Sequence, residues 1–367
     1  MTEEMKQSLE SRNRRIIDAV LARERQRCPG AISLIGIGGS FCSGDIYEKS
    51  DLDLMIVIND DSGWQVSSCF ILGTVAHDIY CTPWSSLERM AEYPDPYVTK
   101  LLDIRMVYAA TSEDQARYDS LRERMQSILA APLSLEELGR AEEFLHRAER
   151  EYASVMLAED FGTCRYAAAG MIYYLEFALY LLNKEYVHRG VKRIPEEIAS
   201  FTLLPEDYPA LSDALVRAGT PEQIHEAATE LLRSVRACFA RVSAGLGDRK
   251  PLTTDALRGT YEEIFSNWRN KMEHAAQIGS PYLSLMTAMS CQNFYDEMAG
   301  EYDIPQIDLM SRIHADDLSG AAAAFDEAME EYLEAYHRLG LPVRRYHTIE
   351  EFEADYLKPL QQEGELV

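Results

Sequence analysis

Gly38 to Leu54 reads GGSFCSGDIYEKSDLDL, a stretch of small and acidic residues set between two apolar runs. An apolar run from Ile32 to Ile37 leads into the stretch and a second, Leu54 to Ile58, leads out of it, so it joins two strand-like segments. Asp51 and Asp53 stand two positions apart. On an extended backbone such positions share a face, so both carboxylates converge while Leu52 and Leu54 face the other way. Paired carboxylates without a basic neighbour repel, and a hard cation such as Mg²⁺ between them removes the repulsion. Most acidic pairs of this spacing are solvated loop residues, so the surrounding residues decide the matter.

Gly39 and Ser40 end the first strand, and Gly44 adds a second tight bend. Residues this small expose backbone N–H groups where phosphate oxygens can approach. An anion site and a cation site thereby become neighbours.

Gly39, Ser40, Gly44, Ser50, Asp51, Asp53 and Leu54 together resemble the signature of the nucleotidyltransferase superfamily with the DNA polymerase beta-type catalytic fold. That signature is Gly-Ser after the first strand, a further Gly, then Ser-Asp-x-Asp-Leu. The resemblance implies a third carboxylate on a neighbouring strand, for which Asp78 in Val75 to Tyr80 is the candidate. It further implies two Mg²⁺ ions held by Asp51, Asp53 and Asp78, with ATP or another NTP as donor. Gly39 and Ser40 would bind its β- and γ-phosphates, and Ser50 would support the loop. The alternative for Asp78 is a strand-end residue capping a turn before Pro83, and His77, on the opposite face, reads as structural.

At 367 residues, 47% of them hydrophobic, the chain is long enough for two folded cores. The formal net charge of −25 excludes a nonspecific nucleic-acid binder, which needs a basic track along the phosphates. Residues 1–130 carry 14 Lys/Arg against 20 Asp/Glu and the remainder 22 against 41, so most of the acidity lies in the second part. Such acidity attracts a cationic small molecule or serves as a solvated helical surface. Seven scattered cysteines without metal-ligand spacing point to reduced thiols and a cytoplasmic setting, and Cys42 reads as a space-filler in the glycine-rich turn. The charged opening MTEEMKQSLE carries no secretory signal pattern, and Tyr166 to Leu182, interrupted by Glu176, is too short to span a membrane.

Residues 3–27 have the periodicity of an amphipathic helix. Pro83, Trp84 and Ser85 open a helix that runs through Met90, and Val98 to Tyr108 reads as an apolar segment whose Arg105 is structural or faces the nucleotide. The pattern changes near Pro132. Ser134 with Glu137, Thr220 with Pro221 and Gln223, and Thr348 with Glu351 announce helices, while Gly245 and Gly340 mark stops. The expected fold is therefore α/β over residues 1–130, with a small mixed sheet, followed by an all-α helical bundle over residues 131–367.

The helix from Thr163 to Lys184 and the following NKEYVHRGVKR resemble the helical C-terminal domain of antibiotic-modifying nucleotidyltransferases of the kanamycin and lincosamide type. This resemblance implies an acceptor-binding role for the helical part, with a small-molecule acceptor that is aminoglycoside-like and cationic, and a Glu acting as general base. Glu176 is the candidate base, since a carboxylate in an apolar aromatic helix has a raised pKa; its alternative is a Glu satisfied by Tyr hydroxyls or by Arg165. Lys184, Arg189, Lys192 and Arg193 are candidates for neutralising triphosphate or for completing a helix end. Three other readings stay open: a protein-modifying adenylyltransferase, a HEPN-type ribonuclease or toxin-antitoxin-like protein, suggested by the Arg-x4-His of Arg269 and His274, and a non-catalytic nucleotide-binding module. Oligomeric state is equally open, a homodimer included.

Overall fold

The structure is a computed structural model that describes residues 3–247 and 249–358. The chain opens with α1 (Glu3–Arg27), β1 (Ile32–Ile37), a single turn α2 (Ser40–Ser43) and β2 (Leu54–Ile58). A hairpin, β3 (Ser68–Leu72) and β4 (Val75–Ile79), follows, then β5 (Cys81–Pro83), α3 (Trp84–Met90), α4 (Thr99–Leu102) and β6 (Arg105–Ala109). Every residue of β1 and β2 is buried, the condition of strands covered on both faces.

Four strands form one mixed sheet in the order β5-β2-β1-β6. β1 is antiparallel to both neighbours, with Ile37 opposite Leu54, and β5 runs parallel to β2. The period-2 alternation divides the apolar residues between two cores. Leu34, Met55 and Val57 face the helices that follow, whereas Ile35, Ile37, Leu54, Ile56 and Ile58 face α1 through Ile16 and Val20. β3 and β4 form a separate antiparallel pair.

After the sheet come α5 (Ser112–Ala130), α6 (Leu135–Leu157), α7 (Phe161–Leu182), α8 (Ile194–Ile198), α9 (Tyr208–Arg217) and α10 (Pro221–Leu246). Ser134 and Glu137 make the expected capping box at the start of α6, and the Thr220 side chain accepts the Gln223 N–H at the start of α10. Gly245 does not stop α10, which runs one residue further and ends against Gly247; a glycine within a helix costs only about 1 kcal/mol, less than the packed helix gains elsewhere. Phe144, Leu175, Ala178 and Val235 of these helices share one core with Leu34, Met55 and Val57 of the sheet. The last strand ends at Ala109, but because of that shared core the first compact unit extends from Met1 to Gly247 and the second from Asp248 to Val367.

The second unit consists of α11 (Thr254–Leu257), α12 (Thr260–Ile264), a π-helical turn Phe265–Arg269, α13 (Asn270–Ile278), α14 (Pro281–Glu301), α15 (Leu318–Arg338) and α16 (Ile349–Tyr356). Its own core gathers Ile264, Met272, Tyr295, Phe325, Tyr332 and Tyr336. Gly340 lies just past the end of α15 with φ 63°, and the Thr348 side chain caps α16. Among the described residues no helix is long and apolar enough to cross a membrane. All seven cysteines are free thiols.

Candidate functional site

Because β1 and β2 lie side by side, the end of one meets the beginning of the other. The Gly38 N–H donates to the Asp53 carbonyl at 3.0 Å, fixing the residue before β2 against the residue after β1. Gly39 then turns the chain with φ 58° and ψ −143°, a conformation essentially reserved for glycine. A Cβ built there would lie 1.7 Å from Asp53 Oδ2, so the missing side chain is also the space the carboxylate occupies. That carboxylate accepts the backbone N–H of Ser40. The Ser40 hydroxyl is buried and has no hydrogen-bond partner among the described residues.

The loop ahead of the acidic pair is held from two sides. Ser50 is buried; its Oγ accepts the Tyr47 N–H at 2.9 Å and its carbonyl accepts Arg12 Nη2 at 2.8 Å. Leu52 is buried in the core beneath α1, and its N–H donates to His77 Nδ1 at 3.4 Å. With Leu52 pointing inward, the alternation sends Asp51 and Asp53 into the cleft. Asp53 opens to the cleft, yet the walls around it withdraw enough water to raise its pKa above the ordinary carboxylate range. Repulsion from Asp51 adds to that rise, and the Ser40 N–H partly offsets it.

The cleft has a volume of about 820 Å³ and is lined by the Gly39–Ser43 turn, Ser50, Asp51 and Asp53, with Asp103 and Arg105 at the start of β6 and Val187–Gly190 and Lys192 after α7. Arg105, Arg189 and Lys192 bring three positive charges to it. Asp45, another lining residue, is held below its ordinary pKa chiefly by its hydrogen bonds from Arg193. Asp103 Oδ1 accepts the Tyr186 hydroxyl at 2.9 Å. Arg105 lines the cleft, one of the two positions left open for it, whereas Asp103 did not stand out in the sequence. The available signal was their position, an acidic and a basic residue flanking Ile104 at the entrance to a strand that pairs with β1.

Gly39, Ser40, Ser50, Asp51 and Asp53 are thus brought together, and three other expected site residues are not. Asp78 lies outside the cleft lining: its exposed side chain, on β4, accepts a hydrogen bond from Cys69 Sγ at 3.1 Å. The strand's alternation is the cause, since buried His77 takes the inward position beside Leu52 and turns Asp78 away from the core. Lys184 is buried in an ion pair with Glu137 at 2.5 Å and does not line the cleft. Glu176 sits in α7 outside the lining, and burial raises its pKa to about 7. It lies within electrostatic reach of Tyr97, which does line the cleft. In the second unit Arg269 is tied to Glu273 at 2.6 Å and to Asp326 at 3.1 Å, and His274 is exposed.

Among the described residues no group of three or more His, Cys, Asp or Glu side chains is placed to hold a metal ion. Two carboxylates suffice for Mg²⁺, which keeps several waters and takes further ligands from substrate phosphates. The mutual repulsion of Asp51 and Asp53 and the unpartnered Ser40 hydroxyl beside them fit such an ion with a phosphate.

No family model matches the chain, and no curated protein matches it. Among solved structures, a nucleotidyltransferase-like protein from Exiguobacterium sibiricum 255-15 is similar over 61% of this chain and 74% of its own, at 13% identity and a TM-score of 0.36.

Proposed function

We propose that the first unit is a Mg²⁺-dependent nucleotidyltransferase that moves a nucleoside monophosphate, AMP from ATP in the simplest case, to a hydroxyl of a small molecule. One observation supports this above the others. The Asp53 carboxylate fills the space left by Gly39 and accepts the Ser40 N–H, so a cation-binding pair touches an anion-binding turn.

In the transfer, the acceptor oxygen bonds to the α-phosphorus as the bond from that phosphorus to the bridging oxygen breaks. Pyrophosphate leaves with the electron pair, and the hydroxyl proton passes to a carboxylate or to water. Mg²⁺ held by Asp51 and Asp53 would supply charge neutralisation for the phosphate oxygens. The turn at Gly39 and Ser40 orients the β- and γ-phosphates, and Arg105, Arg189 and Lys192 neutralise them. Asp103, the remaining cleft carboxylate not held by an arginine, would take up the acceptor's proton without joining Asp51 and Asp53 as a cation ligand. Glu176 is kept as the proposed base because a carboxyl that titrates near neutrality exchanges protons at working pH and its neighbour Tyr97 borders the cleft. An aminoglycoside-like, cationic acceptor remains part of the proposal through the resemblance of the helical segment. The ribonuclease reading gains nothing from the fold, since the Arg269 guanidinium is already engaged by two acids.

The test is Mg²⁺-dependent pyrophosphate release from each NTP against a panel of hydroxyl acceptors. Release by the wild type and its loss in a folded Asp53→Asn variant are expected; release unchanged by that substitution would overturn the proposal.

A further inference from the structure

A second cavity lies on the far side of the acidic loop, between α1 and the β3–β4 hairpin. Its volume is about 670 Å³, within the range of small-molecule sites. The floor is apolar: Ile16, Val20, Val66 and Ile79 are buried beneath it, and Phe70 and Leu72 form the hairpin wall. The rim is basic. Arg12, Arg15 and Arg23 line the groove and no Asp or Glu does, in a chain with 61 acidic and 36 basic residues.

The three arginines are not equivalent. Arg12 donates to the Ser50 carbonyl and Arg23 to the Gln65 carbonyl, each at 2.8 Å, so both are committed to holding loops. Arg15 is exposed and has no hydrogen-bond or ion-pair partner among the described residues. One free guanidinium at the edge of an apolar trough matches a ligand with one negative charge on a hydrocarbon tail. The planar fork of Arg favours a carboxylate head, and the floor favours a tail too long for a simple metabolite acid.

We propose that this groove binds a medium-chain carboxylate, its head on Arg15 and its tail along Ile16, Val20, Phe70 and Leu72. Isothermal titration calorimetry on the full chain with decanoate, kept below its micelle concentration, tests the proposal without reference to nucleotidyl transfer. Saturable binding at one site is expected, weaker by about tenfold or more for butyrate, for decyltrimethylammonium, and for decanoate with the Arg15→Glu or the Leu72→Asp variant. Both substitutions fall at exposed positions, and circular dichroism verifies folding. Failure of decanoate to saturate, equal binding of the cationic homologue, or equal binding by both folded variants would overturn it. So would a response to anionic phospholipid vesicles without one to monomeric decanoate.

Discussion

Asp53 has room for its carboxylate because residue 39 has no side chain: a Cβ on Gly39 would stand 1.7 Å from Asp53 Oδ2 and 2.5 Å from its Cγ. Gly39→Ala therefore meets two costs, a backbone conformation that strains other residues by about 1–3 kcal/mol and a displaced carboxylate. The variant is expected to lose more than about tenfold in transfer rate, the effect of little over 1 kcal/mol at the transition state. A pyrophosphate-release assay beside a urea melt separates the catalytic loss from the loss in stability.

Asp53 itself sets function against stability. Its folded pKa lies above the ordinary value through burial and Asp51, so folding takes up protons as pH rises through the carboxylate range, and stability falls there. Asp53→Asn removes that penalty. The variant should be as stable as the wild type at pH 4 and more stable at pH 7, by urea denaturation, while being inactive.

Glu176 shows the same sign over a wider window. With the folded value near 7 against an ordinary 4.5, its favourable contribution is present below pH 4.5 and is lost as pH rises to 7, a penalty of about 3 kcal/mol at most. Glu176→Gln should flatten the stability profile between those limits. If Glu176 also serves as base, the same variant loses the acidic limb of the rate profile, where the wild-type rate falls as Glu176 becomes protonated; a purely structural Glu leaves that limb in place.

In the Lys184–Glu137 pair the lysine is buried and the glutamate largely so, with side-chain exposures of 7% and 13%. Removing one partner leaves an uncompensated charge, so Glu137→Ala should cost about 3–5 kcal/mol, whereas the double variant with Lys184→Met recovers part of the loss. Lys184→Met alone should leave the apparent affinity for NTP unchanged, since Lys184 does not line the cleft. Steady-state kinetics on the folded variant checks this.

The parts of the fold visible in the sequence were those governed by local rules. Uninterrupted apolar runs gave β1 and β2 at their observed bounds, and Ser134 with Glu137 announced α6, because burial on both faces and capping are short-range requirements. The Gly39–Asp53 contact follows from the same local logic, two strand ends joined by a loop. Asp78 and Lys184 misled for a different reason. Their roles depend on which of two alternating residues a core accepts and on which acid from another helix arrives nearby, and neither is written in local spacing. Asp103 escaped notice because its place in the cleft depends on β6 pairing with β1 across a long sequence separation. The extent of the first unit was hidden likewise: the core that joins Leu34 to Val235 is a property of packing.

The most direct measurement is Mn²⁺ binding, read by electron paramagnetic resonance in the presence of a non-hydrolysable ATP analogue, in the wild type and in Asp53→Asn. Asp51 and Asp53 as the cation ligands beside the phosphate turn predict a bound Mn²⁺–nucleotide signal in the wild type, weakened by about tenfold or more in the variant. Identical Mn²⁺ binding by the two proteins would contradict that assignment.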